Sequence, residues 1–201
     1  MNKNKICHND IKYENIVYDV NDKCFKFIDF GLSLEFTETD KFKERSKKEF
    51  RTERIYTPYP LDYLYLSKME KISALETRRN YELFDKIQFD NQSKGNLSLF
   101  QRKDCNIESV HANILEYKKY KKNYVEEVIE KIDVYSLGIL IPELFLEYFK
   151  DTEDIILLLR KNQIVESFIL LFEDMCHPHL KERITIQEAN KRFTSLVEQH
   201  S

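Results

Sequence analysis

The chain has 201 residues, 42% of them hydrophobic and 33% charged, with a formal net charge of −3; this fits one folded domain with a sizeable core and excludes a disordered chain. No overall basic excess points to nucleic acid or to an anionic membrane surface. Only three glycines, four prolines and no tryptophan occur, so sharp turns are few and a mainly helical body is expected.

In chain order, the opening MNKNKICHND has no apolar stretch of the secretory kind, so no signal peptide is expected. HNDIKYEN (8–15) sets a His, an Asp, a Lys and an Asn at the spacing H-x-D-x-K-x-x-N. IVY (16–18) and CFKFI (24–28) are short β-type runs parted by the polar cluster DVND, a small hairpin. IDFGLS (28–33) follows. Residues 34–57 are charge-rich, with Lys41, Lys43, Arg45, Lys47, Lys48, Arg51 and Arg54, and read as a mobile solvated loop; a preference for acidic substrates is the sharper alternative. YTPYPLDYLYL (56–66) brings two prolines and then an apolar stretch.

Residues 67–125 are mixed in charge and expected to be partly helical, with a break near SKGN (93–96). Within them YKKYKKNY (117–124) interleaves Tyr and Lys as single-strand nucleic-acid surfaces do, but the patch is small and reads as a solvated helix face. Residues 126–149 form a helix, since Ile129, Ile132, Leu137, Leu140, Ile141 and Leu144 recur at helical spacing; Pro142 is expected to kink it. Two or three further helices are expected in 153–175 and 185–199, the last opened by Thr185 three residues before Glu188. The apolar runs at 135–149 and 155–172 carry charges, so no membrane span is expected. Cys7, Cys24, Cys105 and Cys176 form no C-x-x-C pair, which argues against a zinc ribbon or a disulfide framework and for an intracellular, reducing compartment. Cys176-His177-Pro178-His179 lacks a nearby fourth ligand and reads as a structural loop.

Phosphoryl transfer to a hydroxyl needs a carboxylate to orient the hydroxyl and take its proton, hard oxygens to hold Mg²⁺, and a cation near the transferred group. HNDIKYEN and IDFG supply that set: Asp10 as base, Lys12 as cation, Asn15 and Asp29 as metal ligands, with Gly31 supplying backbone freedom where the chain turns after Asp29.

On these residues the chain resembles the eukaryotic-type protein kinase family, whose H-R-D-x-K-x-x-N and D-F-G motifs occur in the same order around a short hairpin. IDVYSLGILIPELF (132–145) resembles the family's D-x-W/Y-S-L-G helix, LFEDMCHPHLKERITIQEA (171–189) its closing segment, and YPLD (59–62) the segment that ends in A-P-E. The resemblance implies that Asp133 accepts hydrogen bonds from the backbone of the catalytic loop and that Asp62 pairs with Arg183 in a buried ion pair, the shorter Asp in place of Glu reaching less well. His8 and Phe30 would buttress the loop, and Lys12 points to the Ser/Thr branch. It further implies ATP and Mg²⁺ as cofactors, a protein substrate with a Ser or Thr acceptor, and no nucleic-acid or membrane partner. The Lys/Asn-rich, Gly-poor composition and the YPLD variant resemble kinases of large DNA viruses, which implies a cytoplasmic setting in a host cell.

The departures are also specific. Asn9 stands where many members of the family have an Arg that binds a phosphorylated activation loop. The interval 67–125 reads as an insertion. No glycine-rich loop, V-A-I-K-type lysine or paired helix glutamate is present. The expected fold is therefore mainly α with a small β-hairpin, a protein-kinase-like C-terminal lobe across 1–201 that lacks the nucleotide-covering lobe. A partner polypeptide would supply the missing half, and the alternative is a catalytically silent kinase-like binding module or gene remnant.

Overall fold

A computed structural model describes residues 4–51, 59–66, 107–148 and 161–200. The expectations for SKGN, for Cys105 and for residues 52–57 and 153–160 lie outside them.

The polar cluster after Tyr18 turns the chain as its composition dictates. Asp19 accepts hydrogen bonds from the N–H groups of Asn21 and Asp22 at 2.9 and 3.2 Å, and Lys23 takes a left-handed φ of 51°. Strands β2 (Ile16–Asp19) and β3 (Cys24–Phe27) then pair antiparallel, with Ile16 opposite Phe27 and Asp19 opposite Cys24. A second small ladder joins β1 (Ile6–Cys7) to β4 (Leu34–Glu35). The two ladders bracket HNDIKYEN between β1 and β2, and DFG between β3 and β4. Loop and turn are thereby forced together, and the Ile28 N–H donates to the Asn15 carbonyl at 2.9 Å.

Residues 39–51 correct the expectation of a mobile loop: they form α1 (Thr39–Arg51). Lys, Arg and Glu are good helix formers, and on this helix Phe42 and Ser46, one turn apart, are both fully buried. Such a pattern is easily lost among six basic residues. Arg45 also donates to the Leu32 carbonyl, tying the helix to the strand region.

Short helix α2 (Leu61–Leu64) follows Pro60, and α3 (Ile107–Tyr120) contributes Ile114 to the core. The single helix expected over 126–149 is two: α4 (Tyr124–Glu130) and α5 (Ile132–Tyr148) meet at Lys131. Lys131 donates its N–H back to Val128 and buries its ammonium on the Leu180 carbonyl at 2.8 Å. Periodicity alone runs through such a break, because α4 and α5 both turn apolar faces into the same core. Helix α5 continues past Pro142 to Tyr148.

Helix α6 (Gln163–Met175) is capped by Asn162, whose side chain accepts from the N–H groups of Ile164 and Val165. Helix α7 (Ile186–His200) starts at the expected cap, Thr185 Oγ1 accepting from Glu188 N at 3.2 Å. Gly138 is where α5 and α6 press together: a Cβ there would lie 2.8–2.9 Å from Cys176 N, Met175 Cβ and Phe172 O.

One core cluster gathers Phe42, Tyr59, Tyr63, Val128, Ile129 and Ile132 with others, and a second gathers Val134, Leu171, Met175 and Ala189. The architecture is mainly helical with a small two-stranded hairpin. Among the described residues no helix is long and apolar enough to cross a membrane. Exposed apolar surface lies on the hairpin, at Tyr18, Val20 and Phe25, whereas Val134 and Tyr135 of α5 are buried.

Candidate functional site

The site grows from the eight residues of HNDIKYEN and from groups that reach them across the fold. Asp133, in the first turn of α5, places one carboxylate oxygen 2.7 Å from His8 N and the other 2.9 Å from Asn9 N. Cys7 Sγ adds a third donor to that carboxylate at 3.3 Å. Burial pushes the Cys7 thiol well above its usual 9.0, and the neighbouring Asp133 charge pushes it further, so Cys7 donates as a neutral thiol.

Clamped in this way, the backbone takes an unusual shape. Asn9 sits at φ 62° and Asp29 at φ 58°, both in the left-handed region. Residues held in such conformations cost about 1–3 kcal/mol in the general case, and Asn and Asp are the side-chain-bearing residues that bear it best. This corrects the role given to Gly31: the residue that needs left-handed freedom is Asp29. Gly31 matters through space instead, since its N–H donates to Asp29 Oδ1 at 3.2 Å and a Cβ on it would come 3.1 Å from that same oxygen.

Asp10 is buried and its carboxylate is held by two cationic or amide donors. Asn15 Nδ2 donates to Asp10 Oδ2 at 2.7 Å and to the Asp10 carbonyl at 2.9 Å. The Lys12 ammonium lies 3.2 Å from Oδ2, with about a third of its side chain exposed. The nitrogen of Asn15 is thus spent on Asp10, and its oxygen is what remains to meet a cation. Asp29 is exposed. His8 is fully buried, its Nε2 3.1 Å from the Ile28 carbonyl and its ring 5.6 Å from Phe27 and 4.8 Å from Phe30. It packs the loop against the strand leading into DFG.

Asp62 and Arg183 form a wholly buried pair, with Oδ2 to Nη1 at 3.2 Å and Oδ1 to Nη2 at 3.1 Å. The fork-on-fork contact corrects the expectation that the shorter Asp reaches less well. Arg183 also donates through Nε to the His177 carbonyl at 2.9 Å and stacks 4.9 Å from the Tyr135 ring centre. His177 and His179 accordingly belong to the loop that carries Arg183, His177 Nδ1 accepting from His179 N at 3.0 Å. Among the described residues no group of three or more His, Cys, Asp or Glu side chains is placed to hold a metal ion.

Several residues that build the site carry no motif. Tyr59 donates its hydroxyl to the Asn9 carbonyl at 2.8 Å. Ser33 Oγ donates to the His8 carbonyl at 3.2 Å. Tyr124 donates to the Asp62 carbonyl at 3.1 Å, and its phenol is pushed well above its usual 10.0 by burial and then by the Asp62 charge. Lys131 braces the 177–183 loop from below, its ammonium pushed down chiefly by burial. The only sequence signal for Tyr59 and Tyr124 is the abundance of tyrosine around YPLD and before IDVYS.

Compared with protein-family models, with curated proteins and with solved structures, the chain matches none.

Proposed function

We propose that the chain is a Ser/Thr-type protein phosphotransferase of the protein-kinase kind, passing the γ-phosphate of ATP to a protein hydroxyl with Mg²⁺. The observation that carries the reading is the Asp10 carboxylate, buried in a loop whose backbone is clamped by Asp133 and gripped by Asn15 and Lys12. A carboxylate fixed this firmly can orient an acceptor hydroxyl and take its proton as the oxygen attacks, while Lys12 offsets negative charge beside it.

The donor set fits the metal. Asn15 has only its amide oxygen left, and Asp29 adds an exposed carboxylate, so the chain offers two hard oxygens. Mg²⁺ is the cation that accepts so few protein ligands, completing its shell with water and phosphate. When bound, ATP would supply the phosphoryl group, and Mg²⁺ held by Asn15 and Asp29 would offset its charge. The proposal includes a protein substrate.

A second reading, a kinase-like module that binds a partner without transfer, draws on the hairpin. Tyr18 and Phe25 are 53% and 75% exposed and pack edge to face on each other at 5.2 Å, a surface suited to a protein contact.

Radiolabelled phosphate transfer to a generic basic protein across Mg²⁺ concentrations separates the two. Asp10→Asn is expected to lower turnover by about two to four orders of magnitude with little change in nucleotide affinity. Asp29→Asn is expected to lower both turnover and Mg²⁺-dependent nucleotide binding. If wild type and Asp10→Asn give equal signals, the transferase reading fails and the binding module stands.

A further inference from the structure

We infer that Tyr59 is a positioning residue of this site: its hydroxyl holds the Asn9 peptide in the left-handed conformation that aims Asp10. The inference rests on the reading of Asp10 as the group that meets the acceptor hydroxyl. Asn9 at φ 62° lies outside the conformations that side-chain-bearing residues favour, so the surroundings must keep it there. Its N–H is fixed by Asp133 at 2.9 Å, and its side-chain nitrogen reaches the Leu32 carbonyl only at 3.5 Å. The remaining handle is its carbonyl, and the Tyr59 hydroxyl donates to it at 2.8 Å with both residues buried.

That carbonyl belongs to the peptide joining Asn9 to Asp10. If ψ of Asn9 turns without an offsetting turn of φ at Asp10, the chain from Asp10 onward is re-aimed, and the Asp10 side chain moves away from Asn15 and Lys12. A donor on this oxygen is therefore a direct lever on the aim of Asp10. Tyr59 is well placed to serve, because its own ring is fixed. It packs 4.5 Å from Tyr63, centre to centre, and Tyr63 follows Asp62 in α2, where the buried pair with Arg183 locks the helix in place. Asn9 is thus bracketed from two sides: Asp133 of α5 holds its N–H, and Tyr59, two residues before α2, holds its carbonyl.

The test uses Tyr59→Phe, which keeps the ring and removes the donor, and the same change combined with Asn9→Gly, since glycine takes positive φ as readily as negative. Tyr59→Phe is expected to lower kcat about tenfold and leave KM for the acceptor protein within about twofold. The added glycine is expected to recover most of that loss, which it would not do for a packing defect. A readout independent of activity is amide hydrogen exchange. Exchange at His8 and Asn9, the two N–H groups on Asp133, is expected to quicken about tenfold in Tyr59→Phe while amides in the middle of α6 keep wild-type rates. An unchanged kcat, or a loss that glycine does not recover, overturns the inference. If wild type transfers no phosphate, the kinase reading falls by itself and exchange decides whether Tyr59 holds the loop: selective acceleration at His8 and Asn9 supports the hold, and wild-type rates there refute it.

Discussion

Replacing Asp62 by asparagine keeps the shape of the side chain and removes the charge against which Arg183 is buried. Both side chains have 0% exposure, and the carboxylate spans two guanidinium nitrogens at 3.1 and 3.2 Å. Taking one partner from a buried pair costs about 3–5 kcal/mol, because the other charge stays buried without compensation. Arg183 would keep the His177 carbonyl and the Tyr135 ring, which places the expected loss at the lower end, about 3 kcal/mol. That is a large part of the roughly 5–15 kcal/mol by which domains are stable, and for a chain of this size it corresponds to about 6–12 °C in Tm. Urea unfolding of wild type and variant, compared at equal m value, reads the difference. A loss below about 1 kcal/mol is what an exposed pair would give; it would refute the argument that this pair anchors α2. The double substitution Asp62→Leu with Arg183→Met removes both charges and is expected to be more stable than Asp62→Asn, since apolar replacement of a buried pair is often neutral. A double variant less stable than Asp62→Asn would assign the loss to packing instead of the stranded charge.

Phe42→Ala is expected to cost about 3–5 kcal/mol, because Phe42 is fully buried from α1; a loss under about 1 kcal/mol in urea unfolding would return residues 39–51 to the status of a solvated segment. Gly138→Ala is expected to cost about 1–3 kcal/mol or more through overpacking, since its methyl would meet backbone atoms of Phe172 and Cys176; wild-type stability would show that α5 and α6 slide apart freely. Cys7 makes the stability pH-dependent in one direction. Its thiol stays protonated in the fold above the usual 9.0, so below that pH it contributes no slope, and above it the unfolded chain loses the proton first and stability falls. As the pH rises through 9.0 the wild type is expected to lose more stability than Cys7→Ala, and parallel curves would refute this.

The hairpin and the last helix were legible because each is specified locally. Turn residues such as Asp19 cap their own neighbours, and Thr185 sits three residues from the N–H it accepts. The grouping of Asp10, Lys12 and Asn15 was legible for the same reason: the contacts among them lie within five residues. Helix α1 was hidden because its many charges suit a helix and a loop equally. The break at Lys131 was hidden because a buried lysine between two apolar helices leaves the period intact, and what it bonds, Leu180, lies 49 residues on. The contacts of Tyr59 could not be read at all, since a tyrosine beside two prolines looks the same whether its hydroxyl meets solvent or a peptide 50 residues earlier.

The shape of the loop is therefore a product of the whole fold. The groups that hold its backbone come from 25 residues away at Ser33, 50 at Tyr59 and 124 to 125 at Asp133. Such contacts close long loops, and closure over that length is unfavourable until packing offsets it. The sequence limits the local cost by using Asn at 9 and Asp at 29, the side-chain-bearing residue types that enter the left-handed region most readily. A β-branched residue at either place would meet the full steric cost. The site is thus built by tolerant residues at the strained positions and rigid anchors elsewhere. Lesions in α2 or α5 that touch neither Asp10 nor Asp29 should then change the aim of Asp10 before they unfold the chain.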